Sequence, residues 1–298
     1  MQINVEQNVS LKELTTFRVG GPVRYFAKAR DWEAIYGLRE FAKQQQVPYM
    51  ILGGGSNVLF ADDGYPGLII LNQMDQMNFQ GNTVTAEGAV TWHKLVMAAA
   101  ELNLGGISGF CNVPGTIGGA VYGNAGIPEL CMADVFLAAT ILPSNGDKPL
   151  IVGSDYAQFG YRTSYFKQSK DIILSVTMPL RPMPNLLIKQ EVNSYIKSRV
   201  MKQPAGLTCG SFFKNPDHFP SAGWLIEQAG CKGMSLGDAQ VSEKHANFFM
   251  NKGRATASDI LNLALKVHKM VKEKFEVELE PEVQILPENP FLKSGSMV

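Results

Sequence analysis

The sequence predicts an α+β protein in two domains, and three observations lead there. Segments with helical and with strand periodicity alternate through the first half. Three prolines within residues 179–184 then break the composition. Beyond them, amphipathic helices stand among short strand runs. With 298 residues, 45% hydrophobic and 18% charged, the chain is long enough for two sizeable cores.

The elements follow in order. Asp31 is placed to cap a helix over 31–46, with Ile35, Leu38 and Ala42 on one face. Pro48 ends it, and residues 49–52 read as a buried strand running straight into Gly53-Gly54-Gly55-Ser56-Asn57. Residues 68–71 form a second apolar strand. Val84 and Ala86 alternate with Thr83, Thr85 and Glu87 as in a half-buried one. Thr91 caps a helix carrying Trp92, Leu95, Val96, Ala99 and Leu102 at helical spacing. A hairpin is expected over 135–152, turning at Pro143-Ser144-Asn145-Gly146-Asp147, and residues 172–178 close this half as a strand. After the proline cluster, helices are expected over 186–200, 222–229 (ended by Gly230) and 258–275. Strands are expected over 247–250 and 277–286, where Val277, Leu279, Val283 and Ile285 alternate with polar neighbours. The tail after Pro287 lacks periodicity and is expected to be disordered.

Bulk chemistry narrows the function. Lys+Arg and Asp+Glu number 27 each, so there is no basic surplus of the kind non-specific nucleic-acid binding requires. No apolar run reaches membrane-spanning length, and the first residues lack a secretory pattern, so the cytoplasm is the expected compartment. Cys111, Cys131, Cys209 and Cys231 form no CxxC pair, and the four histidines are scattered. No metal site and no disulfide are expected.

Two glycine-rich loops carry the first chemical signal. In Gly53-Gly54-Gly55-Ser56-Asn57, the absence of side chains lets backbone N–H groups converge on an anion, with Ser56 and Asn57 as neutral donors. Pro114-Gly115-Thr116-Ile117-Gly118-Gly119-Ala120 offers the same chemistry, and two such loops suit a diphosphate. No lysine follows the glycines as a P-loop would require, which argues against a kinase or ATPase.

Three further segments are less decisive alone. Ser211 lies in Gly210-Ser211-Phe212-Phe213-Lys214-Asn215-Pro216, which is not a nucleophile elbow, and a turn serine explains it as well as a catalytic one. Arg162, flanked by aromatics in Tyr161-Arg162-Thr163-Ser164-Tyr165, suits bidentate binding of a carboxylate or simple packing on tyrosine. Glu282, in Leu279-Glu280-Pro281-Glu282-Val283, shares a strand face with Glu280 and Gln284. Each of these residues, taken alone, is explained as well by structure as by chemistry.

Taken in order, these segments resemble the UDP-N-acetylenolpyruvoylglucosamine reductase family. Thr15-Thr16-Phe17-Arg18-Val19-Gly20-Gly21 and Lys244-His245-Ala246-Asn247-Phe248 complete the set, which covers nearly the whole chain. The resemblance implies a two-part FAD-binding region of the vanillyl-alcohol-oxidase type over about 14–181 and a smaller α+β substrate-binding domain over 182–298. It also implies the shorter family form, which lacks an inserted tyrosine loop. The implied reaction uses non-covalent FAD and NADPH to reduce UDP-N-acetylglucosamine enolpyruvate to UDP-N-acetylmuramate for peptidoglycan. By resemblance, Ser211 is the general acid, while Arg162 and Glu282 stabilise the developing enolate. The FAD contacts fall to Gly53, Gly54, Gly55, Ser56, Asn57, Pro114, Gly115, Thr116, Gly118 and Gly119. Substrate contacts fall to Tyr161, Lys202, Lys214 and Asn215. The chain is expected to act as a monomer with no nucleic-acid or membrane partner. It departs from the family at Gln284, usually arginine, at Ile127-Pro128-Glu129 and at Phe110-Cys111-Asn112-Val113.

Overall fold

The computed structural model describes residues 4–291. The chain divides into two compact units, each assembled from separate stretches. The first is built mainly on Phe26–Gly54 and Gly67–Arg199, the second on Gln7–Tyr25, Gly55–Pro66 and the chain from Val200 onward.

The first unit is organised around a five-stranded antiparallel sheet in the order Leu150–Gly153, Ala138–Leu142, Ile172–Pro179, Thr83–Glu87, Met77–Gln80. Val84 and Ala86 point into the core from this sheet, as the alternation predicts. Beside it, Tyr49–Leu52 pairs in parallel with Leu68 to Leu71, delivering the chain at Gly53. The helix Trp32–Gln44 begins where expected, with the Asp31 carboxylate accepting the Ala34 N–H at 2.7 Å. Its buried Arg39 donates to the carbonyls of Pro143 at 2.6 Å, of Ser144 at 3.3 Å, and of Gly146, so the hairpin turn closes on a cation. Periodicity does not reveal that contact.

Thr91 caps Trp92–Glu101 by accepting the Lys94 N–H at 3.3 Å, and Trp92, Leu95, Val96 and Ala99 are buried. Leu102, expected on the same face, follows the last helical residue and is 52% exposed. The hairpin strand starts at Ala138 rather than 135, because Met132–Val135 forms a 3₁₀ turn. Phe110, one of the departures from the family, stacks on Trp92 with ring centroids 4.1 Å apart, both rings fully buried.

The second unit packs around Phe17, Val19, Phe212, Phe213, Phe249 and the inner face of Ala257–Phe275. That helix starts with a reciprocal capping box between Thr256 and Asp259. Asp62 reinforces it, its carboxylate accepting the N–H groups of Ala257 at 2.8 Å and Ser258 at 2.9 Å. The strand expected over 247–250 forms at Phe249–Asn251. The run expected as a strand over 277–286 keeps its alternation of buried residues, yet only Gln284–Leu286 is a strand, paired in parallel with Val58–Phe60. Pro281 lacks a backbone donor, which helps explain why the ladder stops short. The expectation of a disordered tail fails for Phe291, whose ring packs 5.7 Å from Phe213 and 5.3 Å from His268. The rest of the tail, 292–298, lies outside the described residues.

Among the described residues, no helix is long and apolar enough to cross a membrane, and no group of three or more His, Cys, Asp or Glu could hold a metal ion.

Candidate active site

The two glycine loops meet in the first unit. A Cβ built on Gly53 would fall 2.4 Å from Thr116 Oγ1, and one on Gly54 would fall 3.1 Å from Gly115 Cα. Gly53 thus lies against the Thr116 side chain, which would have to move to admit a side chain there, and Gly54 lies against the Gly115 main chain. Gly115 itself adopts φ +102°, a conformation that L side chains avoid. The helix Ile117–Gly123 follows directly. Its first N–H groups are already used: Ile117 donates to Val90 O at 2.8 Å and Gly118 to Gly88 O at 3.0 Å. Those two amides hold the loop in place and are not spare donors for an anion. A Cβ on Gly119 would meet only Thr116 Oγ1, at 3.7 Å, so its surface is more open.

The remainder of the first loop belongs to the second unit. Gly55 has φ +60°, and a Cβ there would stand 1.9 Å from Leu14 O, while its carbonyl accepts the Thr16 N–H at 3.0 Å. Asn57, expected among the cofactor contacts, turns its side-chain amide to Glu282 O at 3.2 Å, and its carbonyl accepts the Gln284 N–H at 3.0 Å. It thereby ties the glycine loop to the segment that carries Glu282.

Arg162 is held by the chain that follows the second loop. Its Nη2 donates to Gly126 O at 3.1 Å and its Nη1 is 3.5 Å from Asn124 O. Asn124, left-handed at φ 44°, caps the preceding helix and braces the arrangement by donating to Gly160 O at 2.8 Å and accepting the Ala133 N–H at 3.0 Å. Arg162 is also left-handed, with φ 55°, and Lys167 Nζ donates to its carbonyl at 2.8 Å. Tyr161, 52% exposed, places its ring 5.4 Å from the guanidinium carbon. The altered Ile127-Pro128-Glu129 run lies in the small hairpin that begins at Gly126, so it shapes the carbonyl Arg162 rests on.

Ser211 and Glu282 come together in the second unit through main-chain pairing. Residue 211 bridges Phe248 on one side. On the other, Phe212 O accepts the N–H of Glu282 at 2.8 Å, and Lys214 N donates to Glu280 O at 2.8 Å. Both side chains are half-buried. Cys209, two residues before Ser211, is buried; burial foremost, then the Glu282 carboxylate, push its thiol up. A thiol so held is no competing nucleophile.

The expected substrate contacts are dispersed. Lys214 Nζ is 2.5 Å from Glu280 Oε1, an ion pair that alternation alone did not predict. Asn215 Oδ1 accepts the Ala222 N–H at 3.0 Å, at the start of the next helix. Lys202 is exposed at the end of the helix Asn185–Lys202. Arg162 and Tyr161 belong to the first unit, whereas Ser211, Lys214, Asn215 and Glu282 belong to the second. Sequence reasoning missed one participant: Asn247, a buried amide whose only signal was its place in Lys244-His245-Ala246-Asn247-Phe248.

The family model for the C-terminal domain of UDP-N-acetylenolpyruvoylglucosamine reductase matches residues 202–286, and one for an FAD binding domain matches 23–147. A reductase of that name from Clostridium novyi is 36% identical over 286 residues, covering 95% of this chain and 92% of its own. Another, from Acaryochloris marina, is 38% identical over 292 residues, covering 96% and 94%. The crystal structure of UDP-N-acetylenolpyruvylglucosamine reductase from Thermus caldophilus superposes with a TM-score of 0.81 at 31% identity, covering 96% of this chain and all of that one. A berberine bridge enzyme variant shares the fold alone over 62% of this chain and 41% of its own, with a TM-score of 0.50 at 18% identity. With relatives of this identity aligned along nearly its whole length, the chain belongs to the UDP-N-acetylenolpyruvoylglucosamine reductase family.

Proposed function

We propose that the protein reduces UDP-N-acetylglucosamine enolpyruvate to UDP-N-acetylmuramate, using FAD and NADPH, in the supply of peptidoglycan precursors. The observation that carries the reading is the main-chain pairing of the Ser211 segment with the Glu282 segment, within a chain whose relatives bear that reductase's name. The residues suit the cofactor: Gly53 lies against the Thr116 side chain and Gly54 against the Gly115 main chain, and this close approach of two glycine-rich loops would offer a diphosphate an approach to the backbone and to the Thr116 hydroxyl. Gly53, Gly54, Gly55, Ser56, Pro114, Gly115, Thr116, Gly118 and Gly119 would hold FAD, with Asn57 acting through its tie to Glu282. FAD, when bound, supplies the hydride that NADPH provides to the vinyl carbon of the substrate.

The protein's own residues have two tasks. Hydride addition to an enol ether is difficult because negative charge builds toward the carboxylate, so charge stabilisation must grow with the reaction. Arg162, kept rigid by two carbonyls and a tyrosine ring, pairs with that carboxylate. Glu282 supports the same charge by hydrogen bonding once it has taken up a proton. Ser211 then delivers a proton to the adjacent carbon, which a weak hydroxyl acid does only to a strongly basic enolate held close. Tyr161, Lys202, Lys214 and Asn215 contact the sugar nucleotide, and Lys214 does so by exchanging Glu280 for a substrate anion. The functional division is 14–181 for FAD and 182–298 for substrate, and the protein works as a cytoplasmic monomer.

The test is NADPH oxidation by the yellow, flavin-loaded protein. It is expected to depend on added UDP-N-acetylglucosamine enolpyruvate; turnover of a different alcohol or sugar instead, or a colourless protein that FAD cannot reconstitute, would refute the reading. In the same assay Arg162→Lys is expected to lose about 10²-fold or more in kcat/KM, because an ammonium cannot reproduce a planar bidentate contact. Near-wild-type turnover would remove Arg162 from carboxylate recognition.

A further inference from the structure

We infer that Asn247 is a positioning residue for proton delivery, its side chain standing in for a neighbouring strand and holding the Ser211 segment in register with Glu282. The inference rests on the reading of Ser211 as the proton donor.

Asn247 is 2% exposed, and four hydrogen bonds account for it. Its backbone carbonyl accepts the Phe212 N–H at 2.8 Å. Its side-chain Oδ1 accepts the Phe213 N–H at 2.9 Å, and its Nδ2 donates to Phe213 O at 2.8 Å. Its own N–H donates to His245 Nδ1 at 3.3 Å. The amide can face only one way, since the Phe213 N–H must donate and the Phe213 carbonyl must accept. Both main-chain groups of Phe213 are thus satisfied by one side chain, as an adjacent strand would satisfy them.

The consequence falls on Ser211. Residues 211–214 run between the 247–248 segment and the 280–283 segment. Phe212 O accepts from Glu282, so whatever sets the height of Phe212 and Phe213 sets Ser211 relative to Glu282. Phe213 and Phe249 pack with ring centroids 5.9 Å apart, and Phe212 and Phe249 at 4.7 Å, but ring contacts slide easily along a strand. Directed hydrogen bonds do not. A serine that must meet a short-lived carbanionic carbon is sensitive to displacements of an ångström, which aromatic packing alone does not prevent.

The experiment uses stopped-flow on purified, flavin-loaded protein: reduction by NADPH first, then reoxidation by UDP-N-acetylglucosamine enolpyruvate. Asn247→Ala is expected to reoxidise with full amplitude but a rate constant lower by about 10²-fold. Its reduction by NADPH should stay within about threefold of wild type, since Ser211 acts only afterwards. In a Ser211→Ala background the same substitution should add less than about threefold, because no donor remains to be misplaced. A reduced amplitude with an unchanged rate constant would make Asn247 a folding residue only, and a full additional loss in the Ser211→Ala background would place its effect elsewhere. Asn247→Asp keeps the acceptor for the Phe213 N–H and regains a donor when protonated, so its reoxidation rate is expected to rise relative to wild type as pH falls; parallel profiles would overturn the inference. Failure of both variants to yield flavin-loaded protein would overturn it as well. Wild-type reoxidation by Ser211→Ala would instead remove the donor reading itself, whereas a slow Ser211→Ala beside a normal Asn247→Ala would remove only the positioning role.

Discussion

Replacing Ser211 with alanine is expected to leave flavin reduction by NADPH nearly intact while slowing substrate-dependent reoxidation by about 10²–10⁴-fold, the usual worth of a positioned general acid. The split follows from the role proposed for the hydroxyl. NADPH passes a hydride without needing a proton at the substrate carbon, whereas the enolate cannot go on to product until that carbon is protonated. The structural cost of the change should be small. Ser211 is half-buried, its backbone pairs with Phe248, and the neighbouring bonds from Phe212 to Asn247 and from Glu282 to Phe212 are main-chain contacts that alanine keeps. Comparing the two half-reactions by flavin absorbance on one preparation isolates the effect. Reoxidation at the wild-type rate would show that the proton comes from another group.

A second large effect is expected at Gly53. A Cβ there meets Thr116 Oγ1 at 2.4 Å, closer than any ordinary contact, and a Cβ on the next residue, Gly54, would fall 3.1 Å from Gly115 Cα. Gly53→Val must therefore displace Thr116 or spread the two loops. Overpacking of this kind costs about 1–3 kcal/mol. If the strain is released when the loops separate, it appears as lost cofactor affinity of roughly 5- to 150-fold. Titration of the stripped protein with FAD, followed by flavin fluorescence, measures it. The variant should purify pale and gain less thermal stability than wild type from added FAD. A fully yellow variant with unchanged affinity would mean the loops do not cradle the cofactor.

Much of this protein was legible before folding was considered. The helices at 32–44, 92–101 and 257–275 follow directly from apolar spacing, the first two also from Asp31 and Thr91, whose side chains can satisfy the first backbone donors. The alternation at Val84 and Ala86 likewise required a half-buried strand. The errors came where local pattern competed with geometry further along the chain. Residues 277–286 alternate throughout, but only Gln284–Leu286 forms a strand, with residues 280–282 pairing through isolated main-chain contacts to 212–214, because alternation reports which face is buried and not where another backbone lies.

The site divides in the same way. By itself the sequence determined the order of motifs, and the family resemblance carried by that order pointed to Ser211, Arg162, Glu282 and the glycine loops, each ambiguous alone. Only the tertiary structure decided what holds them. Gly53 meets Thr116 across sixty-three positions, Phe212 O meets Glu282 N across seventy, and Asn247 closes on Phe213 across thirty-four. Spacing along a chain carries local periodicity, which capping and burial enforce residue by residue. It carries no record of which distant backbone groups will pair, because that choice is made by the cores each unit can bury and by the requirement that every buried donor and acceptor find a partner.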